Sequence, residues 1–151
     1  MAGLYIHIPF CKQACHYCDF HFSTNLQLIE PIIEGIILEM KLRKDYLNGE
    51  AVDTVYIGGG TPSLLSTIHL EKILDQVSTI FPGIKLEITL EANPDDLNPS
   101  VVANWRSLGI DRLSLGIQSF QEEILTAYNR AHNAKQAKEA ILLGRKAGFE
   151  K

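Results

Sequence analysis

"YIHIPFCKQACHYCDFHF", residues 5–22, decides how the rest of this chain is read. It opens as an alternation, Ile6 and Ile8 to one side and Tyr5 and His7 to the other, which is the period of a strand buried on one face. It then places Cys11, Cys15 and Cys18 at CxxxCxxC spacing, and these are the only cysteines in the 151 residues. An odd number of cysteines closes no disulfide framework, so three thiols on one loop point to a soft metal or to catalysis in a reducing compartment. Two metal sites compete on the cysteines alone. Zinc takes a fourth ligand, and His21, three residues after Cys18, would complete a Cys₃His set. An iron–sulfur cubane normally takes four thiolates, so three leave one iron open to another molecule.

The alternating run of residues 3–9 returns three times, as VDTVYIG (52–58), KLEITLEA (85–92) and DRLSLGIQ (111–118). A helical pattern follows each. Leu70, Ile73, Leu74 and Val77 recur at helical spacing in one stretch, as do Ala137, Ala140, Ile141 and Gly144 in another. Asn98 and Pro99 read as an N-cap with proline at the first helical position, Gly109 and Gly148 as helix ends, and SFQE (119–122) as a capping box. The order βαβαβαβα implies parallel strands joined by right-handed crossovers.

Strand parity adds direction. Leu86, Ile88 and Leu90 oppose Glu87, Thr89 and Glu91, while Leu113, Leu115 and Ile117 oppose Arg112, Ser114, Gly116 and Gln118. Helix-covered sheets of open form are usually greasy on both faces. One polar face therefore predicts a barrel-like curl around a polar lumen, with Cys11, Gly58, Glu91 and Gln118 meeting at the C-terminal strand ends. Four βα units do not close an eight-strand barrel, and the expectation is that residues 1–151 are the front of a longer protein.

The composition, 46% hydrophobic and 21% charged with a formal net charge of −4, is that of an ordinary globular domain. Without a basic field, nucleic acid is not an expected partner. The apolar run at residues 1–10 is too short for a signal h-region or a membrane span, so the expected location is the cytoplasm, with no membrane association indicated.

GGGTPS (58–63) follows the second strand run. Its glycines free the backbone to approach a ligand and present N–H and C=O groups, and Thr61 adds a hydroxyl. Joined to a CxxxCxxC loop after the first strand, this turn favours the open cubane over zinc. Here the chain resembles the radical S-adenosylmethionine superfamily. Within it, YIHIPFC (5–11), CHYCDF (15–20), GGGTPS, EANP (91–94) and LGIQSF (115–120) resemble the branch of oxygen-independent coproporphyrinogen III dehydrogenases and their heme-chaperone relatives.

The resemblance implies an α/β fold, four βα units of a partial (βα)₆ barrel with a parallel sheet, truncated before its last two units and a further domain. It implies a [4Fe-4S] cluster on Cys11, Cys15 and Cys18. It also implies that Gly59, Gly60 and Thr61 hold the amino-acid end of S-adenosylmethionine, with Tyr17 beside the adenine and Tyr5 near the sulfonium. Glu91, Gln118 and Arg130 match cofactor-contacting positions. Their chemistry is compatible with that role, since a carboxylate can meet an ammonium or hydroxyl, an amide donates and accepts, and a guanidinium forks onto a carboxylate.

The dehydrogenase branch continues CxxxCxxCxC, whereas Phe20 stands at that last position here, so the resemblance leans to the chaperone. That implies heme as cargo and a heme-acceptor protein. The dehydrogenase alternative implies oxidative decarboxylation of a porphyrinogen, with an electron donor, through radical cleavage of S-adenosylmethionine. A zinc-stapled binding domain is the third reading. His16 and His21 flank the cysteines as candidate heme ligands. Trp105 shares an apolar stripe with Val102 and reads as core, and Lys41, Arg43 and Lys44 suit a helix C-terminus.

Overall fold

Each alternating run becomes a strand. The computed structural model describes residues 2–81 and 87–150. The strands are β1 (Ala2–Ile8), β2 (Val52–Gly59), β3 (Glu87–Ala92) and β4 (Arg112–Leu115), all parallel, in the sheet order β1-β2-β3-β4. Helices α1 (Ile29–Leu42), α2 (Thr67–Ile80) and α3 (Pro99–Ser107) form the first three crossovers, and α4 (Glu122–Ala127) and α5 (Ala134–Lys146) follow β4. Lys85 and Leu86, read as the start of the third run, lie outside the described residues.

The apolar parity forms the core. Ile6 and Ile8, Val55 and Ile57, and Ile88 and Leu90 are buried with Ile33 and Ile37 of α1, Leu70, Ile73, Leu74 and Val77 of α2, and Val102 and Trp105 of α3. Each such side chain contributes about 1.5–3 kcal/mol by leaving water. Polar parity is equally clear. Register aligns Tyr5 with Tyr56 and Tyr56 with Thr89, then His7 with Gly58 and Glu91 with Ser114, so these residues occupy the opposite face in rows.

Asn98 caps α3 by accepting from Val101 N at 3.0 Å, with Pro99 at the first position. The fourth strand is shorter than its sequence run: it stops at Leu115, because Ile117 N turns back to Leu115 O at 2.8 Å. Ile117 and Gln118 are therefore not strand residues, and parity does not decide where they point. SFQE does not form a capping box. Ser119 Oγ accepts from Gln121 N at 3.1 Å, and Gln121, the N-cap of α4, makes no side-chain cap bond. The capping box belongs instead to Asn133 and Gln136 at the start of α5. No helix among the described residues is long and apolar enough to cross a membrane.

Candidate functional site

A cavity of about 320 Å³ opens at the C-terminal ends of the strands. Cys11, Cys15 and Cys18 line it with Tyr17, Gly59, Gly60, Thr61, Glu91, Gln118 and Arg130. Candidate residues from well-separated stretches of sequence thus share one space. Tyr5 is the exception. It stands on the polar face of β1, 57% exposed and outside the lining, with its hydroxyl 3.1 Å from His7 Nδ1 and its ring beside that of Tyr56.

The cysteine loop is closed at its base, where Cys11 N donates to Ser23 O at 3.1 Å and Ser23 N to Pro9 O at 2.8 Å. The hydroxyl of Thr61, itself buried, donates to Cys11 Sγ at 3.6 Å, and Arg130 Nη1 donates to Cys15 Sγ at 3.3 Å. The Thr61 donor favours the Cys11 thiolate, the form that ligates metal. Without a metal, burial pushes the Cys11 thiol up, and the neighbouring Cys18 and Cys15 add to this against the Thr61 bond. A cation in the loop would remove that penalty.

The glycine turn is built for contact with this loop. Gly60 N donates to Ile8 O at 2.8 Å, Thr61 N to Phe10 O at 2.6 Å and Gly59 N to Glu91 Oε2 at 3.0 Å. All three amides are therefore taken by the protein, which corrects the expectation that the turn offers N–H groups to a ligand. What it has left to present is carbonyl oxygen, the complement of an ammonium rather than of an anion. The Thr61 hydroxyl is likewise committed, to Cys11 and to the amide of Asn93, which donates to it at 3.3 Å.

Glu91 is oriented from both sides: its Oε1 accepts from Tyr56 OH at 2.7 Å while Oε2 takes Gly59 N. Arg130 is the hub. Besides Cys15, it donates to Tyr17 OH at 3.2 Å, to Asn93 Oδ1 at 2.5 Å and to Gly116 O at 2.7 Å, while its Nε is buried without a partner among the described residues. One guanidinium thus joins the cysteine loop to the ends of β3 and β4.

Its neighbours stitch the same loop. Gln13 Nε2 donates to Asn129 O at 2.6 Å, Asn129 Nδ2 to Ala14 O at 2.8 Å and His16 N to Tyr128 O at 3.2 Å, and the rings of Tyr17 and Tyr128 pack 4.9 Å apart. His16 Nδ1 lies 3.0 Å from Ala127 O. A carbonyl only accepts, so Nδ1 is the donor in this contact, and Nε2 of the exposed ring has no hydrogen-bond partner among the described residues.

Sequence reasoning missed Asn93, although EANP was singled out, because its role appears only when β3 meets the glycine turn. It also missed Lys12, which lines the cavity and pairs with Asp95 at 3.2 Å and with Asp96. Burial opposes the Lys12 charge, but the two carboxylates prevail and hold its pKa above the ordinary value. Phe20 and Phe22 complete the apolar part of the wall.

The donor set fits a cluster. Among the described residues, no three His, Cys, Asp or Glu side chains converge on a single-ion position, and His21 is exposed and outside the lining. The closed Cys₃His arrangement is not assembled. The three cysteines share one cavity, and three thiolates on a cubane would leave one iron open to a further ligand.

Comparison with known proteins agrees with this geometry. Residues 5–151 match the model of the radical SAM superfamily. The heme chaperone HemW of Bacillus subtilis is 35% identical over 153 residues, covering 99% of this chain and 40% of that protein. Escherichia coli HemW is 38% identical over 150 residues, covering 97% and 40%. This chain therefore spans about two fifths of the length of the curated relatives it matches. Among solved structures, coproporphyrinogen III oxidase (HemN) from Escherichia coli, a radical SAM enzyme, superposes with a TM-score of 0.89 at 27% identity, over 98% of this chain and 35% of that one.

Proposed function

This chain belongs to the radical SAM superfamily, and on that premise we propose that it is the front portion, four βα units of a six-unit partial barrel, of a cytoplasmic heme chaperone. Cys11, Cys15 and Cys18 hold a [4Fe-4S] cluster, S-adenosylmethionine lies in the adjoining cavity, and heme is the cargo passed to an acceptor protein. The observation that carries the cofactor reading is the convergence of three thiols, a carbonyl-presenting glycine turn, Glu91, Gln118 and Arg130 on one cavity. The support for the chaperone is the run of HemW relatives along nearly the whole chain, together with Phe20 where the dehydrogenase branch has a further cysteine.

The side chains divide the work. Arg130 and Thr61 donate to the sulfurs that would carry the cluster and fix the loop that bears them. Gly59 and Gly60 offer carbonyl oxygen to the ammonium of the methionine moiety. Glu91, already holding two donors, keeps further acceptor capacity toward a hydroxyl or an ammonium. Tyr17, packed against Tyr128 and tied to Arg130, presents a ring for the adenine. A bound cluster would supply one electron to the sulfonium; the protein supplies orientation and shielding. His16, whose Nε2 has no hydrogen-bond partner among the described residues, is the candidate for contact with heme iron within this chain.

The dehydrogenase is the second reading, favoured by the structural likeness to HemN. Anaerobic incubation with dithionite, S-adenosylmethionine and coproporphyrinogen separates the two. The chaperone reading expects no decarboxylated product, and about one heme bound per chain that moves on to an apo-acceptor. Decarboxylated porphyrinogen, with no stable heme complex, would select the dehydrogenase. A protein that purifies with zinc and no sulfide would select the zinc-stapled domain and overturn both.

A further inference from the structure

Ile117, Gln118 and Ser119 form a turn that a parallel sheet does not require. Ser119 N donates back to Ile117 O at 2.7 Å, and Gln118, at φ +63°, is the centre of that three-residue turn. The γ-turn with positive φ at its centre is the rarer and more strained of the two forms. A glutamine gains nothing locally by adopting it. Such conformations persist only where the surroundings over-determine them.

Arg130 Nη2 holds Gly116 O just before the turn at 2.7 Å, and within the turn the tie is the Ile117 carbonyl. Ile117 O accepts a second hydrogen bond, from His132 Nε2 at 3.0 Å. His132 is 3% exposed, and since a carbonyl cannot donate, Nε2 carries the proton. Its Nδ1 is buried with no partner among the described residues, so the one hydrogen bond they give the ring goes to the turn. Burial also holds its pKa below the ordinary histidine value, which keeps the ring neutral beside Arg130. The next residue is pinned: Asn133 closes the capping box of α5, with Asn133 N donating to Gln136 Oε1 at 2.9 Å and Gln136 N to Asn133 Oδ1 at 2.8 Å. The imidazole is thus fixed to the start of α5, and the Gln118 turn is fixed to the imidazole.

We propose that His132 is a positioning residue for Gln118: its Nε2–H clamps the Ile117 carbonyl and so holds the strained turn that presents Gln118 to the cavity. The proposal rests on Gln118 being a contact of S-adenosylmethionine. It gives a role to a buried histidine that stands outside the cavity lining.

The test is a double-mutant cycle on the anaerobically reconstituted protein, read as a titration of S-adenosylmethionine against the electron paramagnetic resonance signal of the reduced cluster. Iron content and melting temperature are measured alongside. H132Q carries an amide N–H to about the reach of Nε2, whereas H132N stops at the reach of Nδ1; the two share polar chemistry and differ in length. Q118A and H132N should each weaken binding about tenfold, H132Q should bind close to wild type, and H132N should add little in the Q118A background.

Wild-type affinity in H132N, or a loss that adds in full to that of Q118A, overturns the proposal. If H132N fails to accumulate, H132Q decides: wild-type affinity supports the clamp, and a tenfold loss overturns it. A wild-type response that Q118A leaves intact defeats this proposal alone. No response in the wild type defeats the reading of the site as well.

Discussion

The variant C15S should assemble no cluster: iron and sulfide fall from about four of each per chain to near zero, and the absorption near 400 nm disappears (roughly the position common to iron–sulfur thiolate sites). A serine hydroxyl is a poor ligand for a soft metal and is not deprotonated at neutral pH. On the proposed three-cysteine set, residues 1–151 hold no other cysteine for the cluster to recruit. The loop lies outside the buried core, so melting temperature and circular dichroism of the metal-free protein should barely change. Arg130 Nη1, which donates to Cys15 Sγ, also reaches Tyr17 OH and is not stranded by the substitution. Metal and sulfide analysis of the reconstituted variant checks this. Full occupancy in C15S would remove Cys15 from the ligand set.

The largest effect on the fold should come from G60A. A methyl carbon added at Gly60 would stand 2.5 Å from Phe10 O and 2.9 Å from Phe10 N and C, all main-chain atoms that cannot rotate away. The two segments must separate, and that breaks Gly60 N to Ile8 O and Thr61 N to Phe10 O together. Each bond is worth about 1 kcal/mol, and the clash adds to this, so a loss on the order of 3 kcal/mol or more is expected. For a domain of this size that lowers the melting temperature by roughly 10 °C. Cluster content should fall as well, because the same contact seats the loop that begins at Cys11. Gly35 in α1 is the control. Outside its own helix backbone, no described residue lies within 4 Å of its would-be methyl, so G35A should be neutral or stabilising by up to about 1 kcal/mol. Thermal melts of both variants test the contrast, and equal melting temperatures would contradict it.

What could be read in the sequence was what repeats or sits close together. Period-two alternation over residues 3–9 and 52–58 marks a strand with one buried face, and the faces came out as the parity says, with Ile6 and Val55 inside and Tyr5 outside. CxxxCxxC is local, so the thiols share a loop whatever the fold does around them. Asn98-Pro99 is local too, and it caps α3 as expected.

The misreadings have a common physical origin in competition between nearby options. Ser119 with Glu122 and Asn133 with Gln136 carry the same capping spacing. The first is forestalled because the chain enters α4 from the Gln118 turn, which lets Ser119 bond Gln121 N instead. Strand parity points Gln118 to the lumen, yet the strand has already ended at Leu115. It lines the cavity through a turn, so its placement came out while the reason for it did not. The glycine triplet promises amide donors, and the neighbouring strands consume them, Ile8 O of β1 taking Gly60 N and Glu91 of β3 taking Gly59 N.

Most of the site's bracing could not be read at all. Gln13 and Asn129 are 116 positions apart, and Arg130 and Cys15 are 115. No periodicity or short motif encodes such a pairing. It exists because four parallel strands end on one side of the sheet, which brings the α4–α5 link over the cysteine loop. Asn93 and His132 belong to the same class: ordinary polar residues in sequence, and in space the partners of Thr61, Arg130 and the Gln118 turn.

The central claim is that three thiols leave one iron of a cube open to S-adenosylmethionine, and it meets its most direct test in electron paramagnetic resonance of the reduced, anaerobically reconstituted protein. Spectra are taken before and after that molecule is added. The expected result is a cubane signal whose g-values shift on addition, in a protein with about four irons per chain. A zinc-only protein, or a cubane signal that addition leaves unaltered, would contradict it.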